Sequence, residues 1–408
     1  MKDFSIKKHG DKLLFYLALA IIAGAIIRLI VPAVIKQTTF SIVFTHYWQD
    51  DLEKGVLEDL VEEFENLHSE IKIVIKDRNY EDVRNDLFYP SEEYFPGDVL
   101  AIDPLWVPEL LERNIIENKW EMENPAAARP ETQSIESPLL SFMNVLYYNV
   151  DILKEAGFSR PPKNRSEFLN YLRVIAEEES PRSTFIIDKN NSRWIYDDIF
   201  PWIWAAGIHL INDGIPMVDS RQTIDSFSFL ASLYRQSLIL KEGEKKPEKF
   251  ISGEAAFMTA PSNHINYLKK HMGEETFGIS NIPVPDNYAG NTFYSSLGWS
   301  LGVNKASLNK REARLFAAFL AEKSSLLSAT TGEIPGSGAP PIETGAINSK
   351  LWDISISSEA AQDFSGLPWT ELEKIFREEL NSLFNGENTP AGAAEAIGKR
   401  WSLINGRR

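Results

Sequence analysis

Residues 40–102 alternate between short apolar runs and longer amphipathic stretches. The runs Phe40–Thr45, Ile71–Lys76 and Asp98–Ile102 are rich in β-branched and aliphatic residues, which predicts strands. Between the first two runs, apolar side chains recur at helical spacing, at Val56, Leu57, Leu60, Val61, Phe64 and Leu67. Tyr80–Phe88 predicts a second, shorter helix, and Pro108–Arg113 the start of another. Because strand and helix alternate, we expect a parallel sheet with helices on both faces, that is, an α/β fold.

The rest of the chain mixes the same two kinds of segment. Further strands are predicted within Leu146–Asn149, Gly253–Asn263 and Leu301–Val303. Amphipathic patterns predict helices at residues 151–156, 166–178, 223–238, 310–323, 368–384 and 391–404. The apolar segment Phe200–Ile211 is predicted to be mostly helical after Pro201. At about 100–200 residues per domain, a chain of 408 residues indicates two or three domains or lobes.

The N-terminus carries a long apolar stretch behind a basic tip. Residues 13–35 hold a single charge, Arg28, and as a helix would be about 35 Å long, enough to span a hydrocarbon core of about 30 Å. The lysines ahead of it predict a cytoplasmic tip and an extracytoplasmic remainder; they are Lys2, Lys7, Lys8 and Lys12. A cleaved signal peptide with its apolar region at residues 13–27 is the alternative. Residues 1–36 are therefore predicted to form a cytoplasmic tip with a membrane anchor or an export signal.

The composition of the chain and the motifs it lacks exclude several classes of function. The chain has no cysteine, which excludes disulfides, thiol nucleophiles and a lipid-bearing cysteine. Its 58 acidic and 42 basic residues give a formal charge of −16, which makes it a poor binder of nucleic acid. Motifs of nucleotide-binding loops, zinc proteases and serine hydrolases are missing, and Asp188–Ser192 lacks the glycine and glutamate of a calcium loop. We expect no cofactor, no metal ion and no nucleic acid partner.

Two loops at the carboxyl ends of predicted strands carry the candidate chemistry, since ligands bind at such ends in α/β sheets. One loop holds Trp48, Gln49 and Asp50, and the other holds Asp103 and Trp106. Aromatic rings cover the apolar faces of a sugar, while carboxylates and amides pair with its hydroxyl groups. The loops therefore predict a carbohydrate site. Because Asp50 and Asp103 could also flank a glycosidic bond, an anchored carbohydrate hydrolase is an alternative.

Eight segments of the chain occur in the order found in one known family. They include HYWQDDLEKGVLEDLVEEFE, GDVLAIDPLWVPELLERNII, FPWIWAAGIHLIND, GEAAFMTAP and LFNGENTPAGAAEAIGKRW, and the most specific is PLLSFMNVLYYNVDILKEAGFSRPP. From Phe40 to the C-terminus the chain resembles the family 1 extracellular solute-binding proteins, the maltose-binding-protein-like receptors of carbohydrate ABC importers. The resemblance implies a periplasmic-binding-protein fold of type II. In that fold two α/β lobes are joined by a hinge and hold the ligand in the cleft between them, here after an N-terminal transmembrane helix.

The resemblance also implies that each lobe is discontinuous in sequence. The chain would cross between the lobes near residues 138–144, 282–285 and 323–326. The first lobe would comprise residues 38–140 and 285–323. The second lobe would comprise residues 141–284 and 324–408.

Carried over position by position, the resemblance extends the candidate site. Trp299 matches an aromatic residue that commonly stacks on a pyranose ring, and Glu333 lies in a loop that often closes over the ligand. Asn263 stands where the maltose-binding protein has a stacking tryptophan, and Trp202 is included with core packing as its alternative role. The predicted ligand-binding residues are Trp48, Gln49, Asp50, Asp103, Trp106, Trp202, Asn263, Trp299 and Glu333. The tryptophans predicted to be structural are Trp120, Trp194, Trp352, Trp369 and Trp401.

The function that these features predict is binding rather than catalysis. We expect a monomeric extracytoplasmic receptor that captures a small solute, a sugar or an oligosaccharide, by hinge closure and delivers it to the membrane subunits of an ABC importer. One alternative is a ligand-sensing subunit for a membrane receptor kinase. Another is a binder of a polyamine or of glycerol phosphate. The departures from the family pattern at Leu297 and Asn263 add a receptor that no longer binds its ligand as a further alternative.

Overall fold

The computed structural model describes residues 39–48, 51–52, 54–90, 95–117, 139–177, 183–212, 215–290, 292–295, 297–336, 345–361 and 369–405. The predicted anchor or signal at residues 1–36 lies outside the described residues, as do Gln49, Asp50 and Trp120. Across the described ranges, no helix combines the length and the apolar character needed to cross a membrane.

The strands are short and are distributed along the whole described chain. In chain order they are β1 (Phe40–His46), β2 (Ile71–Asp77), β3 (Val99–Ile102), β4 (Leu140–Phe142), β5 (Asn144–Asn149), β6 (Ser183–Ile187), β7 (Ile211–Asn212), β8 (Ile215–Pro216), β9 (Leu238–Ile239), β10 (Ala255–Pro261), β11 (Phe277–Ser280), β12 (Phe293–Ser295), β13 (Leu297–Val303), β14 (Ile334–Pro335) and β15 (Glu359–Ala361).

Helices separate most of these strands. In chain order they are α1 (Val56–Leu67), α2 (Tyr80–Phe88), α3 (Val107–Glu112), α4 (Val150–Glu155), α5 (Arg165–Ala176), α6 (Phe200–Trp204), α7 (Arg221–Gln236), α8 (Lys246–Ile251), α9 (His264–Met272), α10 (Lys310–Glu322), α11 (Ser324–Thr331), α12 (Ala346–Ile356), α13 (Trp369–Phe384) and α14 (Pro390–Asn405). A π-helical turn, Ile195–Ile199, leads directly into α6.

The first lobe is built on a six-stranded sheet with the order β14-β4-β13-β3-β1-β2. β1 runs parallel to β2 and β3, as the sequence predicts. β13 is antiparallel to both β3 and β4, so the expectation of a wholly parallel sheet is wrong. The reason is topological, because β13 enters this sheet only after the chain has built much of the second lobe.

The second lobe contains a five-stranded sheet with the order β11-β5-β10-β6-β9. β5 is antiparallel to its neighbours β10 and β11, while β6 is parallel to β10 and β9. Two further pairs, β7 with β8 and β12 with β15, form small separate sheets. The described structure is therefore an α/β fold of two lobes, each around its own mixed sheet.

The predicted apolar stripe of α1 is confirmed as its buried face. Leu57, Leu60, Val61 and Phe64 are buried, whereas Leu67, at the end of the stripe, is 65% exposed. Longer elements were predictable in this way because their faces repeat at the helical period. Four short helices, α8, α9, α11 and α12, have no counterpart in the sequence prediction.

Met143 is the single residue between β4 of the first sheet and β5 of the second. Ser262 forms hydrogen bonds with both backbone polar groups of Met143. The Ser262 N–H donates to the Met143 carbonyl at 2.8 Å, and the Met143 N–H donates to Ser262 Oγ at 3.0 Å. Later in the chain, β14 pairs with β4, while the Ile334 side chain packs with core residues of the second lobe. The predicted lobe limits stay predictions, and β14 lies at the hinge beyond the predicted boundary at residue 323.

Candidate ligand-binding cleft

Two tryptophans of the first lobe lie against each other beside the cleft. Trp48 follows the carboxyl end of β1, and Trp299 lies within β13. Their ring centroids are 4.4 Å apart with 15° between the planes, and both side chains are fully buried. One face of the Trp299 ring is therefore covered by Trp48 in this conformation, and its role in stacking on a sugar stays a prediction.

The backbone before Trp299 is closely packed. Gly298 has a φ of +148°, and a Cβ atom there would lie 1.8 Å from the carbonyl oxygen of Leu140. Side chains are disfavoured by that φ and excluded by that contact. The glycine that precedes the tryptophan is therefore required by the pairing of β13 with β4.

His46 orients the loop that follows β1. Its Nδ1 accepts a hydrogen bond from the Trp48 backbone N–H at 3.2 Å, and its Nε2 lies 2.7 Å from Asp77 Oδ1. An imidazole nitrogen that accepts carries no proton, so the proton of His46 sits on Nε2. Burial lowers the pKa of His46, while the charge of Asp77 opposes that shift. The neutral imidazole thus holds Trp48 in place without adding a charge.

Asn263 joins the two lobes directly. It follows β10 in the second lobe, and its Nδ2 donates to Asp51 Oδ1 of the first lobe at 3.0 Å. Its own Oδ1 is buried and has no hydrogen-bond partner in the protein. The sequence prediction selected Asn263 but passed over Asp51, which is one residue beyond the predicted Asp50.

Glu333 is a fully buried carboxyl group beside the hinge. Its Oε2 accepts a hydrogen bond from the Ser262 hydroxyl, and its Oε1 is buried without a partner in the protein. Burial raises the pKa of Glu333 well above its ordinary value, and the nearby charge of Asp51 acts in the same direction. A carboxyl group in this setting favours its protonated form or a ligand that donates a hydrogen bond.

Asp103 is tied into the interface between the lobes. Its Oδ1 accepts from the Leu105 N–H at 2.9 Å, and its Oδ2 accepts from the Tyr80 hydroxyl at 2.8 Å and pairs with Arg193 Nη1 of the second lobe. The predicted hydrogen bonds from Asp103 to sugar hydroxyls stay a prediction, since both of its oxygens have protein partners here. Sequence reasoning missed Arg193 and Tyr80, for which it offered no signal.

An aromatic pocket surrounds this contact. We use that name for the space lined by Tyr80, Arg84, Leu105, Trp106, Ser192, Arg193, Tyr196, Trp369 and Glu373, of which about 10 Å³ is unfilled. Trp106, a predicted site residue, is buried with its ring 4.8 Å from that of Tyr80. Trp369, predicted to be structural, is buried in the hydrophobic core and also lines the pocket, with its ring 5.4 Å from that of Tyr196. Its place at a helix start did not indicate the pocket.

The structure does not bring Trp202 together with the other candidates. Trp202 is fully buried, with its ring 5.0 Å from Phe168 and 5.1 Å from Phe229 in the core of the second lobe. Its carbonyl oxygen accepts a hydrogen bond from Arg165. These contacts correspond to the core-packing alternative.

A second, larger space opens between the lobes on the side of Trp48 and Asn263. This groove has a volume of about 1260 Å³. The first lobe contributes His46, Trp48, Asp51, Leu52, Lys54, Leu57, Glu58, Ile75 and Asp77, and the second contributes Asn263, Asn266, Tyr267, Lys269, Lys270, His271, Ala329, Thr330, Gly332, Gly345 and Asn348. Its size suits a ligand of several sugar units, since drug-sized sites occupy about 300–1,000 Å³.

Several buried polar atoms where the lobes meet have no hydrogen-bond partner in the protein. Folded proteins rarely leave such atoms unpaired, and each one calls for an explanation. Those at this interface are Tyr47 Oη, Trp48 Nε1, Asn144 Oδ1, Asp197 Oδ1, Asn263 Oδ1, Trp299 Nε1 and Glu333 Oε1. Acceptor oxygens predominate, which is the complement of a ligand that donates hydrogen bonds. Across the described residues, no group of acidic and histidine side chains could hold a metal ion.

Known proteins with a similar sequence are consistent with a binding role. The family described as "Bacterial extracellular solute-binding protein" matches residues 50–325, which is more than half of the chain. The sn-glycerol-3-phosphate-binding periplasmic protein of Pectobacterium atrosepticum is 22% identical over 419 aligned positions, covering 90% of this chain and 92% of the relative. A probable ABC transporter-binding protein of Deinococcus radiodurans is 24% identical over 55% of this chain and 58% of the relative.

Solved structures with the same fold include receptors for different solutes. The GacH receptor of Streptomyces glaucescens, studied with acarbose, has a TM-score of 0.73 at 16% identity and covers 90% of this chain and 98% of the receptor. UgpB of Mycobacterium tuberculosis, in complex with glycerophosphocholine, has a TM-score of 0.75 at 16% identity, over 90% and 99% of the two chains. These likenesses confirm the two-lobe fold that the sequence predicts. The match over residues 50–325 shows the family: the chain belongs to the bacterial extracellular solute-binding proteins.

Proposed function

We propose that this protein is a receptor that captures a sugar or an oligosaccharide between its two lobes and delivers it to an ABC importer. The observation that supports this most strongly is the set of buried, unpartnered polar atoms at the interface. A polyol that bridges the lobes would supply hydrogen-bond donors to acceptors such as Asn263 Oδ1 and Glu333 Oε1, both of which have Asp51 as a neighbour. In this role the protein binds the solute and leaves it chemically unchanged.

The charge of the interface favours a neutral or cationic solute over a phosphate ester. Two guanidinium groups lie there, and both are already paired with carboxylates. Arg193 pairs with Asp103 and lies 3.5 Å from Asp197, and Arg84 pairs with Glu373. A phosphate brought among these carboxylates would meet like charges at low dielectric, which costs free energy. The groove beside Trp48 and Asn263 is balanced in charge. Its lining includes three lysines, Lys54, Lys269 and Lys270, and three acidic residues, Asp51, Glu58 and Asp77.

Binding would act through the opening and closing of the hinge. In the described conformation polar contacts join the lobes directly, so a solute enters only when they separate. They include Asp51–Asn263, Asp103–Arg193, Tyr80–Arg193, Arg84–Glu373 and Glu109–Thr370. A solute that bonds to both lobes shifts the equilibrium back toward closure, and the closed form is the one proposed to dock on the importer.

Residues 1–36 would hold the receptor at the membrane. Their basic tip and apolar stretch support a retained anchor, with a cleaved signal as the alternative. An anchored receptor stays near the importer at a higher effective concentration than a freely diffusing one. N-terminal sequencing of the mature protein distinguishes the two, because an anchored chain keeps its first residues and a cleaved one begins beyond residue 27.

A thermal-shift screen of the full-length protein in detergent tests the proposed function. A ligand at about 100 times its Kd stabilises the folded state by about 2.7 kcal/mol. We expect a neutral mono- or oligosaccharide to raise the Tm, and glycerol phosphate to leave it unchanged. Asp51→Ala should weaken the sugar at least about tenfold, whereas Asp225→Ala, on the exposed side of α7, should not. A shift with glycerol phosphate alone would overturn the sugar assignment, and equal affinity in Asp51→Ala would overturn the location of the site.

A further inference from the structure

Arg193 of the second lobe fills the aromatic pocket from within. Its guanidinium carbon lies 5.5 Å from the centroid of the Tyr80 ring and 5.7 Å from that of Tyr196. Nη1 donates to the Tyr80 hydroxyl at 3.1 Å and pairs with Asp103, while Nε lies 3.5 Å from Asp197 Oδ2. Two aromatic rings and two carboxylates around a planar cation form the arrangement that recognises guanidinium and amine groups.

The surroundings of Arg193 require a cation at this place. Asp103 is 1% exposed and Asp197 is 4% exposed, so water does little to neutralise them. Without Arg193, Asp103 would lose its cationic partner, and Asp197 would keep only the weaker influence of Lys246. Arg84, the other guanidinium group of the pocket, pairs with Glu373 and does not replace it. The two carboxylates thus select a cation as the occupant of this place.

We propose that the aromatic pocket is a cation-binding subsite of the cleft, which the chain's own Arg193 occupies in the described conformation. A ligand group of matching chemistry, a guanidinium or a primary amine, takes that place when Arg193 leaves it. The inference rests on the proposed function, because pocket and groove both lie between the two lobes. It deepens that function by naming amine- or guanidinium-bearing solutes, amino sugars among them, as a class that the cleft takes.

Chemical complementation of Arg193→Ala in the full-length protein tests this inference without knowledge of the natural solute. The probe is methylguanidinium at about 20 mM, and its matched control is urea, which is planar and of similar size but neutral. At that concentration both are far too dilute to act as denaturants. We expect methylguanidinium to raise the Tm of Arg193→Ala by about 3 °C over urea. The wild type, whose pocket is full, should show no such difference.

Arg173→Ala serves as the control variant, since Arg173 is exposed and pairs with Glu177 on the surface of α5. An equal effect of urea and methylguanidinium on Arg193→Ala would overturn the inference, as would an equal gain in Arg173→Ala. If Arg193→Ala does not fold unaided, its refolding yield in the two additives gives the same comparison. If methylguanidinium gives no gain but the wild type binds sugar, the subsite is wrong and the proposed function stands. If methylguanidinium gives the gain but the wild type binds no sugar, the subsite stands and the proposed function is wrong.

Discussion

The Trp48 and Trp299 rings stack on each other at 4.4 Å, although one belongs to the loop after β1 and the other to β13, far along the chain. The pair joins the parallel part of the first sheet to β13, a strand that enters the sheet from much later in the chain. Both rings are fully buried. The contact therefore fastens the discontinuous parts of the first lobe together at the edge of the cleft.

Replacing Trp48 by alanine should lower the free energy of unfolding by about 3–5 kcal/mol, because it empties a large buried volume next to Trp299. Chemical denaturation followed by Trp fluorescence measures this loss. Trp352→Ala is the control, since Trp352 is only partly buried against the second lobe's core and should cost clearly less. An equal loss of unfolding free energy in the two variants would show that the stacked pair stabilises the fold no more than a partly buried tryptophan does.

Gly298→Ala should prevent or severely impair folding, because the added Cβ would lie 1.8 Å from the Leu140 carbonyl oxygen. Gly243→Ala separates the steric effect from backbone strain, since Gly243 also has a positive φ, +84°, but has no atom within 4 Å of the new Cβ. We expect that control to lose about 1–2 kcal/mol. Similar Tm values for the two variants would contradict the assigned contact.

Lys246→Met should destabilise the second lobe by about 3–5 kcal/mol, because it leaves Asp198 buried without its positive partner. Lys246 Nζ also donates to the Thr259 carbonyl at 2.9 Å, so two interactions are lost. Arg173→Ala breaks an exposed ion pair and should cost no more than about 0.5 kcal/mol. Urea denaturation measures the free energy of unfolding of both variants. An unchanged value in Lys246→Met would show that the buried pair adds no stability.

Stability should depend on the protonation of Glu333. Burial raises its folded-state pKa, so the folded protein binds a proton that the unfolded chain has already released. The stability linked to this group therefore falls as pH rises from the unfolded value toward the raised one. Glu333→Gln should be more stable than the wild type above that window, and the advantage should disappear toward low pH.

Melting temperatures of the wild type and Glu333→Gln between pH 4 and about pH 9 test this dependence. Glu395→Gln, an exposed position on α14, is the matched control and should follow the wild type throughout. Parallel curves for the wild type and Glu333→Gln would contradict the shifted pKa.

The fold could be predicted further than the site. The periodic apolar faces of α1 and α7 and the β-branched runs of β1 and β2 are local signals, and they locate those elements. β13 and the hinge depend instead on which distant segments pair, which no local pattern states. Arg193 illustrates the limit for the cleft, since its role comes from Asp103 and Tyr80, which lie ninety or more residues earlier in the chain.

The predicted site residues show the same division. Trp48, Trp106 and Asp103 follow strand ends, where ligands bind in such sheets, and the structure places all three beside the interface of the lobes. Trp202 and Trp369 both lie near helix starts and both are buried in the same core cluster, but only Trp369 also lines the aromatic pocket. Sequence position alone could not separate them, because the direction of a side chain at a helix start depends on tertiary packing.

The hinge at Met143 limits how the two lobes can move. Ser262 forms hydrogen bonds with both the N–H and the carbonyl group of Met143, so the backbone torsions at this connection are restrained. Ser262 also donates to Glu333, so the same residue touches the pivot and the buried carboxyl group. A lobe movement that turns the main chain at Met143 must therefore strain or break bonds to Ser262, and through Ser262 it also bears on the Glu333 carboxyl group.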